Sequence, residues 1–453
     1  MAKLKVEEKI AASSYNIRAF LEYEKILKCV HFNEFSGDTD IIYDAETPSF
    51  PWDKPESVSK GVRHWETSDD DALVEYVEAN FNTNVAPDKV MRAFRRIAFN
   101  QSYHPIKDYL KGLEGTWDKA PRASLLLQHY FGAKDTPYVR EAMFLTLKAA
   151  VARVFNPGTK FDTMLVLIGS QGCGKSTFCR NLAELALGTG FFSDSLSMSD
   201  TRDKTAAEKL LGSWIIELAE ADGGITRTDV RYTKQFLSSC DDYFRASYAP
   251  RATHHPRQCV FIGTTNSDSF LHDDTGNRRF YPIQCPGIPT TDGTPLAFSM
   301  THDEVNQIWA EAVEAYLADP SLVMSPEARR EAEQAQTDAL ETDEREGIIE
   351  EYLNTLLPEG WDSWKTENRR NWFKYRTTPQ YRNMPAGTVE RERVSRMEIW
   401  LECLENESSS IPQRDSRAIT RILLKLGWRT DGKQESIPQY GRQVCFRRRK
   451  PAN

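Results

Sequence analysis

The 453-residue sequence predicts an α/β protein built on a parallel sheet, with a small N-terminal α+β region, a helical collar and a C-terminal module of its own. Three observations predict it. Between residues 159 and about 290, short apolar runs alternate with helical patterns, the arrangement that buries parallel strands under helices. Inside that stretch the apolar run Met164-Leu165-Val166-Leu167-Ile168 leads through a glycine-rich octapeptide into a helical pattern, Thr177 to Leu187. The last 63 residues carry their own succession of helix, turn, helix and strand signals.

Along the chain, residues 1–104 read as an α+β domain. Strand-like fragments fall near Ile26–Phe32 and Asp40–Tyr43, a loop runs from Pro48 to Pro55, and helices lie near Asp69–Phe81 and Pro87–Ala98. Residues 105–158 read as a helical domain, with apolar residues at helical spacing over Pro105–Leu113 and Tyr138–Phe155 and a stop at Asn156-Pro157-Gly158. Residues 159–325 hold the strand–helix core and end in a helix over Asp303–Leu317. A helix over Pro326–Leu357 makes 326–365 a helical extension, and the polar, aromatic, proline-containing stretch 366–390 reads as a linker to 391–453.

Composition narrows the class. Charged residues make up 27% and mean hydropathy is −0.57, as in soluble proteins. No apolar stretch reaches the length of a membrane span. The start, Met1-Ala2-Lys3-Leu4-Lys5, is charged where a secretion signal is apolar. The eight cysteines contain no C-x-x-C pair, which argues against a zinc knuckle and for a reducing cytoplasm. Net charge is −8, but it is unevenly spread: residues 331–346 carry a balance of −6 and residues 391–453 one of +6. The basic tail predicts a local electrostatic footprint for nucleic acid.

The octapeptide Gly169-Ser170-Gln171-Gly172-Cys173-Gly174-Lys175-Ser176 is G-x-x-x-x-G-K-S in a strand–loop–helix setting. Its glycines let successive N–H groups turn inward on a phosphate, Lys175 reaches the β- and γ-phosphates, and the helix N-terminus at Thr177 adds partial positive charge. Ser176 is the hydroxyl that ligates Mg²⁺. The expected ligand is a nucleoside triphosphate such as ATP. Hydrolysis needs an acid near the metal and a base for water. Trp214-Ile215-Ile216-Glu217-Leu218-Ala219-Glu220 supplies both, with Glu217 on the metal side near a strand end and Glu220 beside the water. The strand Cys259–Thr265 ends at Asn266, placed to sense the γ-phosphate. Arg278 and Arg279, just past that strand, are candidates for a transition-state charge supplied to a neighbouring subunit. Residues Asp242–Gln258 read as a β-hairpin with a basic tip formed by Arg251, His254 and His255, suited to grip a phosphate backbone without reading sequence.

In the last 63 residues, Val394–Leu404 and Arg417–Leu426 read as two helices joined by a turn at Ser408–Pro412. Ile419, Ile422, Leu423 and Leu426 make a core face, while Arg417, Arg421 and Lys425, four apart, make a basic stripe. Two strands, Trp428–Thr430 and Gln443–Phe446, follow around a loop with Gly432, Pro438 and Gly441. The pattern is winged-helix-like, with the basic helix offered to DNA.

The order of these parts resembles the virulence-associated protein E family and, through it, the superfamily 3 helicases of viruses and mobile elements. The matching residues include Ile106-Lys107-Asp108-Tyr109-Leu110, Trp117-Asp118-Lys119-Ala120-Pro121-Arg122, Val151-Ala152-Arg153-Val154-Phe155 and the glycine octapeptide. They continue through Glu217-Leu218-Ala219-Glu220, Lys234-Gln235-Phe236-Leu237-Ser238, the strand ending at Asn266, and Asp274-Thr275-Gly276-Asn277-Arg278-Arg279-Phe280, covering roughly residues 100–285. The resemblance implies a P-loop AAA+ ATPase core and a homo-oligomer, a hexameric ring with ATP and Mg²⁺ at subunit interfaces. It further implies translocation on single-stranded DNA, 3′ to 5′ by analogy, during replication of a phage or genomic island in a bacterial cytoplasm, beside a primase or polymerase partner. Ring ATPases often carry adjacent acids where this chain has Glu217 and Glu220 two residues apart, which leaves open which one is the base. About a hundred residues precede the matching region, with no zinc-ligand cluster, so a primase of its own is not expected. The alternative is an ATP-binding switch or phage-interference factor without unwinding; a small-molecule kinase is disfavoured by Asn266 and the paired arginines.

Overall fold

The structure, a computed structural model, describes residues 11–43, 50–53, 61–202, 204–219, 227–245, 252–271, 276–340, 343–378, 384–407 and 410–448. Contacts divide the chain into two units, Met1–Leu340 and Glu341–Asn453.

The first unit opens with α1 (Ser14–Glu24), β1 (Val30–Phe32), β2 (Thr39–Tyr43), β3 (Gly61–His64), α2 (Thr67–Phe81) and α3 (Pro87–Asn100). The strands form an antiparallel sheet in the order β1-β2-β3. Helix α1 and strand β3 were not expected. Helix α1 starts because Ser13 Oγ accepts from the Asn16 amide, an N-cap, and α2 because Glu66 and Asp69 form a reciprocal capping box. Ile17, Leu21, Ile41, Leu73, Val77 and Phe94 close the core between them.

Helices α4 (Pro105–Gly112), α5 (Leu126–Phe131) and α6 (Pro137–Phe155) follow. Thr136 caps α6 with Pro137 at its first turn, and the helix stops before Asn156-Pro157 as the sequence indicates. Next come β4 (Met164–Ile168), α7 (Lys175–Leu187), β5 (Phe192–Ser197), β6 (Ile215–Ala219), α8 (Arg227–Ser238), β7 (Asp241–Phe244), β8 (Thr253–Pro256), β9 (Val260–Thr265) and β10 (Phe280–Gln284). Five of these strands make one parallel sheet in the order β10-β4-β9-β6-β5. Side chains alternate between its faces: Leu165 and Leu167 enter one core, Met164, Val166 and Ile168 the other. Burial on both faces is why β4 reads as an unbroken apolar run. Helices α9 (His302–Ala318) and α10 (Pro326–Asp338) complete the unit. Trp214 and Trp309, both fully buried, stack at 4.1 Å, and their indole N–H groups donate to the carbonyls of Ala150 and Leu182. That pair pins α6, α7 and α9 to the sheet, with stacking adding about 1 kcal/mol beyond the area buried.

The helix expected over Pro326–Leu357 is instead two. It stops at Asp338 because the carbonyl of Ala339 accepts the amides of Phe270 and Leu271, where Leu271 and Leu340 also form a β-bridge. The second piece, α11 (Arg345–Asn354), belongs to the second unit with α12 (Thr366–Tyr375), β11 (Arg393–Ser395), α13 (Arg396–Glu398, continued by a π turn over Ile399–Cys403) and α14 (Gln413–Lys425). Strands β12 (Trp428–Arg429), β13 (Gln434–Ile437) and β14 (Gly441–Arg448) close it, with β14 paired antiparallel to β11, β12 and β13.

Two expectations for this unit are corrected. The stretch read as a linker contains α12, whose Trp372 and Phe373 lie in the core and whose Arg369, fully buried, donates to the equally buried Glu402. Glu402 also accepts from the hydroxyls of Tyr352 and Tyr440, a network that needs α12 in place. The helix expected over Val394–Leu404 starts two residues later, because Val394 is a strand residue paired with Phe446 and Ser395 supplies the N-cap.

Candidate functional site

The carboxyl ends of parallel strands are where open α/β sheets bind ligands, and eight of the predicted site residues line one cleft there: Gln171, Gly172, Gly174, Lys175, Ser176, Thr177, Glu217 and Asn266. The segment Gly169–Gly174 links β4 to α7. Gly172 and Gly174 hold φ of 82° and 93°, left-handed values that turn the backbone tightly before Lys175 begins the helix. Gly169 has a different need: a Cβ there would lie 2.2 Å from the carbonyl oxygen of Cys285. The loop is thus glycine-rich for close packing as well as for turning.

Lys175 Nζ donates to the carbonyls of Gly169 (2.7 Å) and Ser170 (2.9 Å) and to Asn266 Oδ1 (3.1 Å). Asn266 follows β9, which lies between β4 and β6, so it reaches the loop lysine directly. Ser176 Oγ donates to Glu217 Oε1 at 2.7 Å, and Thr264 Oγ1 donates to the same oxygen at 2.6 Å. Glu217 is 2% exposed and sits third of five in β6, deeper than the strand end expected for it. Its other oxygen, Oε2, is buried with no hydrogen-bond partner among the described residues. Such an orphaned carboxylate oxygen is costly unless a cation or donor joins it. The cleft above measures about 360 Å³ and is lined by Gly172, Lys175, Ser176, Thr177, Glu217 and Asn266, among others. Glu220 lies outside the described residues.

Arg278 and Arg279 are placed elsewhere. They sit on a turn just ahead of β10, and Phe280 pairs with Met164 at the start of β4. That is the amino end of the sheet, about 15 Å of strand from the loop of the same chain. There Arg278 bonds Asp162 (3.2 Å), and Arg279 approaches Asp162 (3.7 Å) and donates to Ser238 Oγ (2.9 Å). The Arg278 side chain is 70% exposed.

The expected hairpin is present as the antiparallel pair β7–β8, leading into the start of β9 at this same end. Its basic tip is corrected: His254 and His255 lie in the strand β8, opposite Tyr243 and Asp242, because Thr253–Pro256 is already paired. Arg251 lies outside the described residues. His254 bonds Asp241, His255 stacks on Phe244 at 4.2 Å, and Tyr243 is 66% exposed. The hairpin base is held by Arg257, 3% exposed, whose guanidinium forks onto Asp242 (2.6 and 2.9 Å) and donates to the Phe236 carbonyl. Nearby, fully buried Arg153 donates to the carbonyls of Thr159, Cys259 and Phe161. Burial lowers its pKa, and among the described residues its partners are these backbone carbonyls.

In the second unit the basic stripe is partly neutralised. Arg421 lies 3.7 Å from Asp343, and Lys425 2.8 Å from Glu346, while Arg345 bridges Asp343 and Asp415. The acidic segment that looked separate in sequence folds its end against α14. Arg417 is exposed and has no ion-pair partner among the described residues.

Thr264, Asp162 and the Asp242–Arg257 pair carry no role in the reading from sequence. Thr264 had a signal in the Thr-Thr-Asn strand end; the other two are recognisable only from contacts between distant segments. Among the described residues no helix is long and apolar enough to cross a membrane, and no group of three or more His, Cys, Asp or Glu is gathered for a metal.

The sequence model of the virulence-associated protein E-like domain matches residues 110–341, just over half of the chain. Structures of the apo C-terminal region of NrS-1 are similar to this chain. In the A form the identity is 13% with a TM-score of 0.45, covering 95% of this chain and 99% of that one. A second apo structure gives 14% identity and a TM-score of 0.43 over 95% and 98% of the two chains. No curated protein matches the chain. The chain belongs to the virulence-associated protein E-like family.

Proposed function

We propose that this family member is an ATP-driven motor of DNA replication in a phage or mobile element, a P-loop AAA+ ATPase that works as a homo-oligomeric ring, a hexamer by analogy, on single-stranded DNA. The observation that carries the ATPase reading is Glu217, buried, bonded to the Ser176 hydroxyl and with one oxygen unpaired among the described residues at the floor of the glycine-loop cleft. A hydroxyl beside a carboxylate is the donor set for Mg²⁺, and Ser176 and Glu217 would hold it. The ion would neutralise charge on the bound phosphates. Lys175 exchanges its loop carbonyls for phosphate oxygens, and Asn266, already bonded to Lys175, is within reach of the terminal phosphate. Gly169–Thr177 supplies the backbone cradle. With Glu217 engaged by two hydroxyls on the metal side, Glu220 is the candidate to orient water.

Two further features favour a ring. Arg278 and Arg279 cannot reach the loop of their own chain, so their part in hydrolysis is to serve a neighbouring subunit. The hairpin β7–β8 carries exposed Tyr243 and His254 on one antiparallel pair, two rings suited to stack on the bases of a DNA strand. In the second unit, helix α14 followed by the β13–β14 hairpin supports a winged-helix-like reading, with Arg417, exposed and without an ion pair among the described residues, as the cation offered to DNA. A primase or polymerase would be a separate partner.

The test is strand displacement from a forked duplex by the wild type and by Lys175→Ala. Unwinding by the wild type, with ATP hydrolysis reduced to background in the variant, is the expected result. Hydrolysis without unwinding and unmoved by single-stranded DNA would replace the motor with a nucleotide switch. Equal nucleotide binding by both proteins would overturn the site itself.

A further inference from the structure

The glycine loop, Lys175, Ser176, Glu217 and Asn266 account for phosphates and metal, but a nucleotide also presents a flat apolar base. Among the described residues one aromatic side chain lines the same cleft: Phe298. It is 54% exposed and pairs with no other ring among the described residues. Its backbone, by contrast, is fixed. Residues 285–300 run from the end of β10 across the glycine loop, and Ala297 next to it is fully buried. Asn181 Nδ2 of α7 donates to the Ala297 carbonyl at 3.0 Å, the Leu296 amide to Ile288, and the Phe298 amide to Pro295.

The strap is seated on the loop itself. A Cβ on Gly174 would fall 3.0 Å from Ala297 Cβ and 3.7 Å from Phe298 Cε2, and one on Gly287 would fall 2.9 Å from Cys173 Cβ. A rigid backbone holding a wet phenyl ring at the mouth of a polar cleft leaves about half of that ring in water, which is unfavourable unless a ligand covers it. We propose that Phe298 is the base-stacking residue of the nucleotide site, so that the cleft takes an aromatic nucleoside triphosphate with loop contacts to its phosphates and a ring face for its base. This rests on the nucleotide reading above and adds to it the part that recognises more than phosphate.

The experiment compares binding of Mg·ATP with binding of Mg·tripolyphosphate by calorimetry, using the full chain as wild type, Phe298→Ala, Phe298→Trp and Lys175→Ala. Circular dichroism checks that the variants fold, which the exposed position of the ring favours. Expected is a loss of about tenfold in ATP affinity in F298A, with tripolyphosphate affinity unchanged and ATP affinity restored in F298W. Equal loss for both ligands, or no loss for ATP, would overturn the stacking role. The parent reading fails differently, if K175A binds tripolyphosphate as tightly as the wild type does. A change in particle size alone, with both affinities intact, would make Phe298 a subunit contact and overturn the proposal.

Discussion

The two ends of the five-stranded sheet are built on opposite electrostatic plans. At the carboxyl ends, charge is left open among the described residues: one oxygen of Glu217 has no partner there, and Lys175 is held by carbonyls and an amide rather than by a carboxylate. At the amino ends, charge is closed: Arg257 forks onto Asp242, and Arg278 and Arg279 share Asp162. The difference is informative. A paired buried charge costs desolvation and returns it locally, so it fixes geometry, whereas an incompletely paired one stores an unmet interaction that a ligand can satisfy. The closed plan suits a scaffold that holds a hairpin in place, the open one a site.

The strongest way to break this contrast is at Arg278 and Arg279. If the amino end also contributes to hydrolysis in a neighbouring subunit, Arg278→Ala or Arg279→Ala should lower ATPase turnover by about 10³-fold while nucleotide affinity changes little. In mixtures, such a variant should complement Lys175→Ala, because each subunit lacks a different half of a shared site. Turnover equal to the wild type in both arginine variants would leave the amino end purely structural.

At the open end, Glu217→Gln keeps shape and burial but removes charge. Turnover should fall about 100-fold, with the Mg²⁺ requirement shifted to higher concentration, whereas Thr264→Val, which removes one of two hydroxyl donors, should cost only severalfold. Similar effects from both would mean that the carboxylate is a packing element.

At the closed end, Asp242→Ala strands a buried guanidinium. Chemical unfolding of the first unit should register a loss of about 3–5 kcal/mol, with the hairpin lost first by hydrogen exchange. A loss below about 1 kcal/mol would place the pair with ordinary surface bridges.

The smallest effect is expected in the second unit. Arg417→Ala should weaken duplex DNA binding and lower the salt slope by about one, while Arg421→Ala, already paired with Asp343, should change the slope less. Equal slopes for the two variants would show that the acidic pairing does not persist on DNA.

Much of this was readable along the chain because it depends on local order. Met164–Ile168 before Gly169–Ser176, and Asn266 at the end of an apolar run, are patterns within one strand and one loop, and strand and loop chemistry act over a few residues. Other readings failed where local pattern and long-range contact disagree. The polar composition of 366–390 suggested a linker, but Arg369 and Trp372 are buried because Glu402 and the surrounding core receive them. The periodicity across 326–357 suggested one helix, but the amides of Phe270 and Leu271 take the Ala339 carbonyl and end it.

By itself, then, the sequence determined the elements of the core and the position of its glycine loop between β4 and α7, because backbone conformation and strand burial are written in neighbouring residues. The partnerships were decided by tertiary structure alone: Thr264 with Glu217, Asp162 with the two arginines, Asp343 and Glu346 with the basic helix, and Phe298 over the loop. Each joins groups dozens of residues apart, and a charge or hydroxyl carries no local sign of which distant group will meet it.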